Sequence, residues 1–183
     1  MVKMSSVKRT IVCAVCMALC YVLPLVFHAI AAGRMLLPMH IPVMLCGVVC
    51  GPLYGAVCGL VGPVLSSVLS GMPSPVGLIS MVPELMACGF VTGLVMRLVR
   101  TGRSLPDIYI ALVAAMIAGR ILGGIADALF LLGSGEGYSV AMFVGSYLAG
   151  CLPGVVMQLI VVPVLTLTLE KARVIPARYA AGR

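Results

Sequence analysis

The chain has 183 residues, of which 62% are apolar and only 9% charged, and its mean hydropathy is +1.23. A water-soluble domain carries about 25% charged residues, so this composition excludes one and describes an integral membrane protein. The formal charge of +7 invites a nucleic-acid reading, but the basic residues form no single patch. Lys3, Lys8 and Arg9 precede the first apolar run, Arg97, Arg100 and Arg103 share a loop, and Lys171, Arg173, Arg178 and Arg183 close the chain. These clusters flank membrane segments as the positive-inside rule expects, and no nucleic-acid partner is expected.

A span needs about 20 apolar residues, and with short connections the chain holds six. The first covers 8–30, with Pro24 as a kink. Its basic start, apolar stretch and small residues at Ala29 and Ala31 imitate a cleavable secretory signal. The stretch is long enough to span and further spans follow directly, so it reads as a retained first helix. Arg34 lies in the short loop after it. The second span, 40–50, ends at the Gly51–Pro52 turn signal, is short, and is expected to be tilted or partly sunk in the bundle. The third covers 53–69, and Pro73 and Pro75 stiffen the next loop. The fourth covers 78–98. The basic loop then leads to the fifth, 108–132. A glycine-rich turn carrying Glu136 precedes the sixth, 140–169, which Pro153 and Pro163 interrupt. No internal repeat or low-complexity segment is evident. The expected fold is an all-α integral membrane protein, one six-helix membrane domain over 1–183, in the cell membrane. Six spans put both termini on one side, together with all three basic clusters, and that side is cytoplasmic.

Against this background the polar residues inside the spans stand out. In "AGRILGGIAD", Arg120 lies about 18 Å from the cytoplasmic start of the fifth span and Asp127 about 10 Å further out, on the same face. Glu84 enters from the outer end of the fourth span, His40 opens the second, and Gln158 lies along the sixth. Ionisable groups inside a bilayer are expensive and mark functional sites. Two readings stay open. One is an ion pair between helices, for example Glu84 with Arg120, that fixes packing at doubtful net gain. The other is an outward-facing pocket in which Arg120 meets an anionic or polar ligand group while Glu84 or Asp127 orients it. His40 either caps a helix at the interface or contacts ligand.

The eight cysteines all fall in apolar runs. Cys13, Cys16 and Cys20 share a helix face, as do Cys46 and Cys50. Metal or redox chemistry would use such spacing, but no His or carboxylate joins either group locally. They read as small, polarisable packing residues, and the thirteen methionines as flexible filler. No metal or cofactor is expected. Gly47, Gly51, Gly55 and Gly59 recur at steps of four, a spacing that lets helices approach closely. Ala14 and Ala18 form a small-xxx-small pair that packs internally or offers a flat face to another protein. Enzyme readings are weak: no HExxH and no phosphate-binding loop occurs. Ser66, Ser67, Ser70 and Ser80 have only His28 and His40 as conceivable partners. A stand-alone carrier or channel is the alternative, although the inverted repeats common in carriers are missing.

Taken in order, these segments resemble the substrate-binding S components of energy-coupling factor (ECF) vitamin transporters. The resemblance rests on "AVCMA" in span one, "LPMHIPVMLCGVVCGPLYGAVCGLVGPVLSS" in spans two and three, "GMPSP" and "MVPELMACGFVTGLV" into span four, "AGRILGGIAD" and "LPGVVMQLIVVPVL". It implies a six-helix protein that binds a water-soluble vitamin or related micronutrient on the outer side. It further implies association with a membrane scaffold subunit and two cytoplasmic ATPases that hydrolyse ATP in its stead. In that family an AxxxA pattern in span one contacts the scaffold, which here is Ala14 and Ala18. The ligand regions contain Arg34, Met35, His40, Met72, Glu84, Arg120, Asp127, Tyr147 and Gln158, of which Glu84, Arg120 and Gln158 are the leading candidates. With no Trp and four Phe, ring-stacking ligands such as flavins are disfavoured. Arg120 suits a pantothenate-like anion and Glu84 suits the hydroxyls or ring nitrogen of a pyridoxine-like ligand, and the sequence does not separate the two.

Overall fold

The computed structural model describes residues 4–29, 37–133, 145, 151–175 and 179. Its helices are α1 (Ser6–Ala29), α2 (His40–Cys50), α3 (Pro52–Ser70), α4 (Pro75–Leu98), α5 (Ser104–Gly133) and α6 (Leu152–Lys171). No strand occurs among the described residues. Five of the helices are long and apolar enough to cross a membrane, and α2, with 11 residues, is not.

Local chemistry sets the helix ends, and it moves several of them from the expected positions. The helix expected to begin at 78 begins at Pro75. Ser74 caps it by accepting a hydrogen bond from the Gly77 backbone N–H at 3.3 Å, and proline suits the first helical position because its missing N–H has no intrahelical partner to lose. The expected sixth span, 140–169, coincides with α6 only from Leu152 onward. Within 140–150 only Gly145 is described. Pro153 falls in the first turn of α6 and so starts the helix rather than interrupting it, whereas Pro163 lies inside.

Close contacts fix how the helices run. The α2–α3 connection is the single residue Gly51, at φ 99°, beside the Arg97 guanidinium at the end of α4. From there α3 returns antiparallel. Gly55 and Gly89 face each other so closely that a Cβ on either would collide with the other's carbonyl. The α4–α5 pair is also antiparallel, since Cys88 Sγ donates to the Ala115 carbonyl at 3.5 Å and Gly119 abuts Glu84. In this register α2 starts level with Glu84, nine residues into α4, and ends level with Arg97. Its length, about 17 Å, covers only part of the bundle. The remaining part of α4 has no α2 beside it, and an open cavity lies there.

α1 packs on α2 and α3 through a seam of thiols. Cys13, Cys16 and Cys20 meet Cys46, Cys50 and Cys58, and all six are buried with Met39, Val43 and Leu85. Three of these thiols donate to backbone carbonyls across the seam, Cys13 to Tyr54, Cys20 to Met39 and Cys50 to Arg9. Cysteine is small enough to let three helices close at one level and polarisable enough to gain dispersion there. The other face of α1 carries Ala14 and Ala18, both exposed, flanked by exposed Ile11, Val15 and Val22.

Three basic segments gather at one end of the bundle. Arg9 meets Cys50, Arg97 meets the Gly51 turn, and the chain after α6 returns to the α4–α5 loop. That return is held by Asp107, which is fully buried. Its Oδ1 accepts from the Thr101 N–H at 2.9 Å and the Thr101 hydroxyl at 2.7 Å, and its Oδ2 accepts from the Tyr179 hydroxyl at 2.6 Å.

Candidate functional site

Three helices bring His40, Glu84 and Arg120 to one point. α2 begins at His40, whose N–H bonds the Leu37 carbonyl at 3.1 Å. Glu84 follows Pro83 in α4 and is 6% exposed. Gly119 lets α5 press against α4, where a Cβ would meet Cys88 Sγ and the Glu84 backbone and stem. That approach lets Arg120 reach across. Arg120 Nη1 donates to Glu84 Oε1 at 2.7 Å, and His40 Nε2 lies 3.2 Å from the same oxygen. The interhelical ion pair is therefore formed, and His40 is its third member rather than an interfacial cap. At 2.7 Å the Arg–Glu contact is a short charge-assisted bond of the strong kind. Cys151, at the start of α6, also lies within hydrogen-bond reach of Arg120.

Gln158 sits on α6 about 10 Å along the axis from Cys151 and on the same face. It is fully buried, and neither Oε1 nor Nε2 has a hydrogen-bond partner. His40 Nδ1 is likewise buried and unpartnered. Burying an unsatisfied polar group costs about 1–3 kcal/mol, so the Gln158 amide on α6 and His40 Nδ1 beside the ion pair each require an explanation. Asp127 is half-buried, about two turns further along α5, and it is not among the side chains that meet at Glu84 Oε1. Arg34, Met35 and Tyr147 lie outside the described residues.

Next to the cluster is an open cavity of about 450 Å³ lined by Pro24 of α1, by Leu37, Pro38 and Met39, by the α3–α4 loop, and by Met81. Met39 immediately precedes His40, and Met81 is one turn before Glu84. None of Glu84, Arg120 or Gln158 lines it, so the cavity adjoins the polar cluster without containing it. The loop at its rim is braced from α3: Ser66 donates to the Met72 carbonyl and Ser67 to the Pro73 carbonyl, both at 2.8 Å. The serines of α3 thus hold a loop. Reading the sequence alone missed this cavity, because methionine and proline give no contrast in so apolar a chain. It also missed the Asp107 network, whose signal was an acidic residue in the first turn of a helix.

Apolar membrane-length helices packed around a buried ionic cluster, beside an open cavity, define a multi-pass membrane protein with a solute-sized recess. Residues 8–170 match the family model for the ECF transporter, substrate-specific component, and the chain belongs to that family. It is accordingly a substrate-specific transporter subunit of the cell membrane. Neither a curated protein nor a solved structure matches it.

Proposed function

We propose that the chain captures a small water-soluble vitamin or related micronutrient from the outer side and delivers it to an ECF importer made with a membrane scaffold and two cytoplasmic ATPases. The supporting observation is a buried Glu84–Arg120 pair joined by His40 beside an open cavity, in a bundle that also buries His40 Nδ1 and the Gln158 amide without partners. Binding sites are concave, mostly apolar, and carry a few convergent polar groups. In this reading Glu84, Arg120, Gln158, His40, Asp127 and Arg34 contact ligand. The gathering of Arg9, Arg97 and the chain after α6 at one end supports cytoplasmic termini and six crossings, with α2 in the second. The exposed Ala14 and Ala18 face of α1 suits the scaffold contact, since small residues let helices approach closely.

Native mass spectrometry of the purified protein against a vitamin panel tests the role and names the ligand together. One vitamin should bind at sub-micromolar affinity. Glu84→Ala and Arg120→Ala should each lose that binding while the protein stays folded by circular dichroism. Binding preserved in both variants refutes the site.

A further inference from the structure

Resting on the binding role just proposed, the geometry points to an uncharged ligand: the site selects a neutral molecule with a paired donor–acceptor edge over a carboxylate. The sequence leaves an anion and a neutral hydroxyl or ring-nitrogen ligand equally open, because Arg120 suits the one and Glu84 the other. In the folded chain the two are not independent. Arg120 gives Nη1 to Glu84 Oε1 at 2.7 Å, so the buried pair already sums to zero formal charge. A ligand carboxylate entering there would leave a net negative charge in a low-dielectric setting, where unpaired charge is heavily penalised.

On α2 and α6 the buried side-chain atoms that lack partners belong to a histidine and an amide. Gln158 has one acceptor and one amide donor group unmet, both on a fully buried side chain. His40 turns Nε2 to Glu84 Oε1 at 3.2 Å and leaves Nδ1 buried without a partner. The Gln158 amide asks for a ligand edge that donates to its Oε1 and accepts from its Nε2, as amides and paired ring edges do. The adjoining cavity agrees independently. It is lined by methionine, proline, leucine, glycine and serine, and no charged side chain lines it among the described residues.

The test uses the whole protein in nanodiscs and matched ligand pairs that differ in one charge. The probes are pantothenate with panthenol, nicotinate with nicotinamide, and biotin with biotinamide, with pyridoxine added as a neutral vitamin. The tightest binder should be uncharged, and in any pair that binds, the neutral member should be ahead by about tenfold or more. A carboxylate that binds tightest overturns the charge inference and leaves the binding role standing. Binding of none of the compounds overturns both. A variant adds a reversal: Glu84→Gln removes the negative charge beside Arg120, so preference within each pair should swing toward the carboxylate. An unchanged preference in folded Glu84→Gln protein also refutes the inference, and the ligand pairs on the unmodified chain decide the question even if the variant does not fold.

Discussion

Replacing Gln158 by leucine separates a binding residue from a structural one by the sign of its effect. Gln158 is fully buried, and both side-chain polar atoms lack partners. An amide held this way costs about 1–3 kcal/mol relative to a satisfied or apolar group. Leucine is of similar size and carries no polar atom, so Gln158→Leu should stabilise the ligand-free protein by about 1–3 kcal/mol. The same change removes a donor and an acceptor from the ligand, so affinity should fall about tenfold or more. Ligand at a hundred times its dissociation constant stabilises the native protein by about 2.7 kcal/mol, and that increment should fall to about 1.4 kcal/mol or less in the variant. Unfolding by SDS titration in mixed micelles, followed by circular dichroism with and without the vitamin found by mass spectrometry, reads both quantities. A ligand-free variant that is less stable than the parent refutes the reasoning, because the amide would then be satisfied and structural.

Four further outcomes follow from the packing. In a double-mutant cycle, Glu84→Gln and Arg120→Met should each destabilise by about 3–5 kcal/mol because each strands a buried partner, while the double variant costs less than their sum by about 2 kcal/mol or more; simple additivity in SDS unfolding contradicts the coupling. Gly55→Ala should cost about 1–3 kcal/mol or more, since its Cβ meets the Gly89 carbonyl, whereas Gly133→Ala, with open space around it, should change unfolding by less than about 0.5 kcal/mol. Tyr179→Phe removes the 2.6 Å bond to Asp107 and should speed hydrogen exchange after α6 without altering ligand affinity; unchanged exchange rates count against a role in holding the chain there. Ala14→Leu should leave stability within about 0.5 kcal/mol, because Ala14 is exposed, but should weaken co-purification with the scaffold subunit; full assembly refutes the docking face.

Depth arithmetic along single helices made much of this site legible. Counting Arg120 up from the basic loop and Glu84 in from the outer end of its span put both inside the membrane, and opposite charges so placed either pair or meet a ligand. What counting along one helix cannot supply is the level at which another helix starts. His40 joins the pair because α2 begins part-way along α4, and that depends on the Gly51 turn being pinned beside Arg97. The same tertiary fact creates the cavity, since the short α2 leaves space that Met39, Met81 and the braced α3–α4 loop surround. The spacing of Cys13, Cys16 and Cys20 revealed one face of α1. That Cys58 would complete the seam from α3 was not visible, because an isolated cysteine in an apolar run has no distinguishing pattern. Pro153 was misplaced because a proline inside a long apolar run looks like an interruption until the helix start is known.

The thiol seam gives the protein a built-in reporter. Every sulfur that joins α1 to α2 and α3 is shielded only while α1 is seated, and most of the chain's cysteines belong to that one contact. Alkylation by a small membrane-permeant maleimide therefore times the departure of α1 from the bundle, with no engineered label. Any partner that pulls α1 away should be registered as a burst of modification at Cys13, Cys16 and Cys20. Cys88, buried between α4 and α5, serves as the internal control that stays silent.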